Sequence, residues 1–216
     1  MFDLDKTIRE RRCTRMFLPD PVPRNLLDES LALAMCAPSN SNVQPWQLRF
    51  TSGAARDRLV AAMSAEARAR PPIVPSLPES HAHLRRELGA VVYGAMGIER
   101  HDTKARQAAV LRNWEFFRAP LGAVVCMHRE LGSADCLGVG MFLQTLLLAL
   151  TARGLGTCVQ VSIAGYPDIV RAELDIPDEW TILCGLAVGY PDPEFPANTL
   201  RTGRDPVGEH VVFLDE

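Results

Sequence analysis

Apolar residues recur at helical spacing in several stretches of this chain and run together in a few shorter ones. Leu4 and Ile8 share one face of a short amphipathic helix predicted over 4–12. Pro23 opens a second helix, along which Leu27, Leu31 and Ala34 recur at helical spacing; Pro38 is expected to end it. A polar turn follows at Ser39-Asn40-Ser41-Asn42, then a strand over 46–51 and a helix over 54–63. Residues 70–80 carry four prolines and little periodicity, which reads as a loop. A largely helical stretch spans 81–117, broken near Gly97, and the valine-bearing run 121–127 reads as a buried strand.

The most apolar helix spans 135–153 and ends at Gly154, a residue suited to a left-handed cap. Apolar groups occupy nearly every face of it, so burial on all sides is expected, with a second subunit among the candidate neighbours. Strands are predicted over 157–163 and 180–188, and Pro167 starts a helix ending near Leu174. Periodicity is lost from 190 to 206, where Pro, Arg and Asp abound, before a last short strand over 211–214. This pattern is that of one α+β domain covering 1–216, with central strands under long helices. Residues 64–102 are its expected active-site cover, and 190–216 form a C-terminal arm reaching towards a partner subunit.

Composition narrows the function without naming it. A formal net charge of −3 gives no general attraction to nucleic acid or anionic membranes. The start lacks the pattern of a signal peptide, and the 137–152 run is broken by Gly138, Gly140, Gln144 and Thr145. A cytoplasmic protein is expected. None of the six cysteines forms a C-x-x-C pair, and they read as reduced thiols. His81 and His83 have no ligand at metal spacing, so no metal site is expected. Trp46, Trp114 and Trp180 read as core aromatics, and Phe116-Phe117 as core bordering a site.

Two segments offer chemistry. Arg11, Arg12 and Arg15 place three guanidinium forks within five positions, which suits one phosphate. A solvated charge run at a helix C-terminus fits the same residues. Cys13, among these arginines, has the setting of a low-pKa thiol, which admits a nucleophile. The segment 37–46, Ala-Pro-Ser-Asn-Ser-Asn-Val-Gln-Pro-Trp, suits the edge of a heterocycle, and it equally suits a helix-to-strand turn.

Taken in order, Arg-Arg-x-Thr-Arg-x-Phe followed by Ala-Pro-Ser-x-x-Asn-x-Gln-Pro-Trp closely resembles the start of the nitroreductase family of FMN enzymes. The likeness continues through Arg153-Gly154-Leu155-Gly156-Thr157-Cys158, Tyr166-Pro167-Asp168-Ile169-Val170, 185–192 and Arg201-Thr202-Gly203-Arg204. It implies a central, mostly antiparallel sheet flanked by helices, in an intertwined homodimer with FMN sites at the subunit interface. Carried over by position, Arg11, Arg12, Cys13 and Arg15 meet the flavin phosphate, joined by Arg204 and Arg201. Pro38, Ser39, Asn40 and Asn42 contact the flavin from the other subunit, and the backbone near Val161 and Ser162 faces the ring edge.

The implied activity is ping-pong reduction of nitroaromatic compounds, with quinones as further acceptors and NADH or NADPH as donor. The flavin carries the chemistry, so no catalytic acid or base is assigned. Many relatives have Ser in place of Cys13 and Pro in place of Val159. The alternatives are a flavoenzyme of the same fold with different chemistry, and a non-catalytic FMN-binding or regulatory module.

Overall fold

The computed structural model describes residues 3–214. Seven α-helices and four strands are present among them: α1 Leu4–Glu10, α2 Arg24–Ala34, β1 Gln47–Ser52, α3 Gly53–Ala69, α4 Ala82–Ala95, α5 Thr103–Leu111, β2 Leu121–His128, α6 Ser133–Ala152, β3 Gly156–Gln160, α7 Pro167–Leu174 and β4 Trp180–Gly189. Strand order is β1-β2-β4-β3, every pair antiparallel.

The sheet has two buried faces because β2 and β4 are apolar in both phases of their alternation. Leu121, Ala123 and Val125 of β2 join Leu186 and Val188 of β4 under α2 and α6. Val124 and Cys126 point the other way, with Ala187 and Cys158, into a core completed by Leu59, Met63, Trp114, Phe116, Tyr166 and Val170. The three tryptophans divide as expected in two cases. Trp46 is buried and stacks on Phe142 at 4.8 Å between ring centres, and Trp114 is 5 % exposed. Trp180 is only half-buried, edge-on to His128.

Gly97 (φ +68°) breaks the 81–117 stretch as expected, and a 3-10 turn over Arg112–Arg118 replaces its last helical turns. Within that turn Phe116, Phe117 and Arg118 all have left-handed backbone, held by burial of both rings. Gly154 (φ +78°) follows α6.

Three expectations are corrected. The second helix ends at Ala34, where its last turn tightens through Cys36 N–H to Leu33 and Ala37 N–H to Ala34, before Pro38 is reached. The strand over 157–163 stops at Gln160, and Val161–Gly165 coil into a 3-10 turn. That turn drives Ile163 onto Gly185, where any Cβ would overlap it, so the chain trades sheet pairing for burial. No strand forms over 211–214: these residues pair with no edge of the sheet among the described residues, and Val212, Phe213 and Leu214 are exposed. Within one chain, α6 has Phe142, Leu146 and Leu150 sealed in the core, while Leu137 is 69 % exposed on the side left for the expected second subunit. By length and composition α6 could cross a bilayer, but one side of it is core.

Candidate functional site

The arginine segment lies along the β3 side of the sheet. Thr14 N–H bonds to Thr157 O at 2.9 Å, and Cys13 pairs with Thr157 in a parallel bridge. Gly156 makes this approach possible, since a Cβ there would overlap Thr14 Oγ1. Four residues on, Leu18 N–H bonds to Tyr190 O at 2.9 Å. From Cys13 onward the segment is thus extended and fixed by main-chain bonds, while Arg11 forms the C-cap of α1, the helix-end position the charge run also suits.

Asn198 locks the segment to the C-terminal arm. It is 3 % exposed, accepts from Arg15 N–H at 2.7 Å, and donates to Met16 O and Asp192 O at 2.8 and 2.9 Å. Its own carbonyl accepts from Arg12 Nε at 2.6 Å. Sequence reasoning missed this residue. The one available signal was a lone Asn in a Pro-rich arm, which reads equally as a turn.

Arg201 donates to Arg9 O at 2.8 Å and so sits at the end of α1, beside Arg11 and Arg12. Arg204 is exposed and, among the described residues, bonds only to the carbonyls of Thr202 and Gly203. Both ends of the sequence therefore bring guanidinium groups to one region, as far as Arg201.

Cys158 Sγ donates to Val159 O at 3.7 Å, and its thiol neighbours Cys13. Interaction with the Cys158 thiol lowers the Cys13 pKa to about 5, against the opposing pull of burial and with help from Arg15 and Arg11. Cys158 shifts up through the same interaction and its burial. The pair gives up one proton readily and holds the second.

Beside this segment opens a cavity of about 660 Å³. Its floor is Arg15, Trp114, Val161 and Ser162. Trp114 Nε1 donates to Ser162 O at 3.1 Å and fixes the turn. Val161 is 53 % exposed, and Ser162 Oγ is buried without a hydrogen-bond partner. An orphaned hydroxyl on a cavity wall is the kind of group a ligand satisfies. Phe117 reaches the lining too, so it serves both core and site.

The cover comes from the expected region and beyond it. Pro72, Val74 and Pro75, the inner face of α4 and part of α5 close the cavity. The loop is clamped to the floor: Ile73 N–H bonds to Gly165 O at 2.9 Å, and a Cβ on Gly165 would stand 2.6 Å from Pro72 Cβ. Tyr166, fully buried, donates to Arg70 O at 2.8 Å. No group of three or more metal-ligating side chains exists among the described residues.

Pro38, Ser39, Asn40 and Asn42 are not brought to this cavity within the chain. They lie beside α6, where a Cβ on Gly138 would touch Ser39 and Pro45 at 3.2 Å. Ser41, Asn42 and Gln44 have left-handed backbone, and Ser39 Oγ accepts from Gln44 N–H at 2.9 Å. The loop presents Asn40, Asn42 and Gln44 outwards.

The family model of the nitroreductases matches residues 8–190. A 4-nitrobenzoate reductase of Pseudomonas putida is 36% identical over 218 residues, covering 98% of this chain and 96% of that protein. A nitrobenzene nitroreductase of Ectopseudomonas oleovorans is 34% identical over 221 residues, covering 99% and 97%. Among solved structures, the FMN- and NADPH-dependent nitroreductase NfnB of Sphigopyxis sp. strain HMH superimposes with a TM-score of 0.94 at 31% identity, over 99% of this chain and 100% of that one. The FMN-dependent NfnB of Mycobacterium smegmatis, in complex with NADPH, gives 0.91 at 33%, over 98% and 97%. With a family match over residues 8–190 and relatives of about a third identity along the whole chain, this chain belongs to the nitroreductase family.

Proposed function

We propose that the protein is an FMN-dependent NAD(P)H oxidoreductase that reduces nitroaromatic compounds, working as a cytoplasmic homodimer. The observation that carries this reading is the meeting of the fixed arginine segment with a cavity floored by Arg15, Val161 and the unpartnered Ser162 Oγ. These residues fit FMN: guanidinium groups for a dianionic phosphate, and an orphaned hydroxyl with a backbone turn for a polar ring edge. Arg11, Arg12 and Cys13 would hold the phosphate, with Arg201 and Arg204 closing from the arm. The Pro38–Asn42 loop of one subunit would reach the flavin of the other.

Bound there, FMN supplies hydride acceptance from the nicotinamide and its return to the acceptor. The chain's own residues orient and shield. The Trp114–Ser162 bond holds the ring-facing turn, and the cover excludes water from a cavity with apolar walls. Donor and acceptor share one cavity, so ping-pong kinetics are expected. The exposed apolar residues Leu4, Ile8, Leu137, Met141, Phe213 and Leu214 support the dimer.

Anaerobic titration tests the reading. The purified protein should be yellow, bleach with NADPH or NADH, and regain colour when a nitroarene is added. A colourless protein without FMN affinity defeats it, and bleaching with no acceptor turnover leaves only a flavin binder.

A further inference from the structure

The cavity carries more positive charge than a flavin phosphate explains. Besides Arg15, its lining includes Arg85, Arg86, Arg106 and Arg112, and it contains no Asp or Glu. Arg11 and Arg12, the phosphate candidates, lie outside this lining. None of the four cover arginines forms an ion pair among the described residues. Like charges gathered at one mouth repel each other, and the chain's net charge of −3 shows that this is local.

Helical geometry explains how the set converges. Arg85, Gly89, Val92 and Tyr93 share one face of α4, with Met96 just past its end, so a cation sits at one end of an apolar stripe. Arg106 stands on α5 with Ala109 and Val110 at the following helical positions. Its guanidinium lies 4.3 Å from the centre of the Tyr93 ring, which pre-orients the fork. Arg112 is turned towards Phe195, 5.7 Å from its ring centre. The result is a slot with apolar walls and guanidinium groups above it.

We infer that Arg85, Arg86 and Arg106 form an anion subsite over this slot, which takes a planar ring bearing an anionic group. The inference rests on the proposed function in treating the slot as the place where donor and acceptor enter. Two sources share that chemistry: an aromatic acceptor carrying a carboxylate, and the 2′-phosphate of the nucleotide donor. Arginine forks bind carboxylate and phosphate oxygens in pairs.

The test is equilibrium binding by calorimetry to the purified protein as isolated, with non-reducible probes: benzoate against methyl benzoate, and NADP⁺ against NAD⁺. The native protein should prefer the anionic member of at least one pair by about tenfold or more, the scale of a charge-assisted hydrogen bond. Arg85→Gln with Arg86→Gln should abolish that preference while leaving FMN content unchanged, and Arg85→Lys with Arg86→Lys should restore much of it. Loss for benzoate alone assigns the subsite to the acceptor, and loss for NADP⁺ alone assigns it to the donor. Equal affinity within both pairs for the native protein, or a preference that survives the Gln variant, overturns the inference. Absence of FMN would defeat the proposed function by itself, because benzoate binding is read without it.

Discussion

The floor and the cover of the cavity are built on opposite principles. The floor is main chain fixed to main chain: Thr14 on Thr157, Leu18 on Tyr190, and Asn198 across both. Its neighbours Met16, Phe17 and Ile163 are buried. In the cover, α4 has no buried residue and exposes Leu84, Leu88 and Val91. Low burial means that the helix opens at small free-energy cost. A bound group that must stay belongs on the first kind of surface, and one that must enter and leave belongs under the second.

The strongest blow to the floor is Asn198→Ala. It removes a side chain that makes three hydrogen bonds and strands buried backbone partners, so a loss of about 2–4 kcal/mol in urea denaturation is expected. FMN affinity, read by flavin fluorescence, should fall with it. Stability within error of the native protein would show that the arm is held by something else.

Gly165→Ala attacks the hinge between floor and cover. The new Cβ meets Pro72 backbone and side chain, so the loop must shift at a cost of about 1–3 kcal/mol. Limited proteolysis within 70–80 should accelerate while FMN content holds. Loss of FMN with an intact loop would reverse the assignment of roles.

Arg204→Ala should leave the melting temperature unchanged, because its side chain touches only its own turn. Weakened FMN binding in that variant is expected, and unchanged affinity removes Arg204 from the phosphate set.

The smallest effect is a titration. The Cys13 pKa is lowered to about 5, so its thiolate fraction rises with pH through that value and is nearly complete at neutrality. Alkylation by iodoacetamide should therefore be flat between pH 7 and 9 in the FMN-free protein. FMN phosphate disfavours a neighbouring thiolate, so loading should slow the reaction and move its midpoint upwards. A rate that climbs steeply through pH 8–9 without FMN would remove the lowered pKa.

Legibility in the sequence followed the range of the interactions involved. Helix α7 was readable because Pro167 at its first position is a local signal. Strand β2 was readable because a fully buried strand is apolar throughout. The turn at 161–165 was not, since Ile163 leaves the sheet to fill a space that exists only because Gly185 lies across from it. The final apolar run at 211–214 has strand propensity but pairs with no strand among the described residues, since pairing depends on where the arm is carried and not on its own composition.

The sequence by itself determined the family, through motifs whose order is a property of the chain. It also raised the expectation that the arginine segment and the 161–162 backbone serve one site, and the cavity lining takes Arg15, Val161 and Ser162 from them. Only the tertiary structure decided that Asn198 locks the arginine segment to the arm, that Cys13 lies beside Cys158, and that four more arginines line the cavity. Those features depend on residues far apart in the chain, and no local pattern of spacing or propensity encodes where distant segments meet.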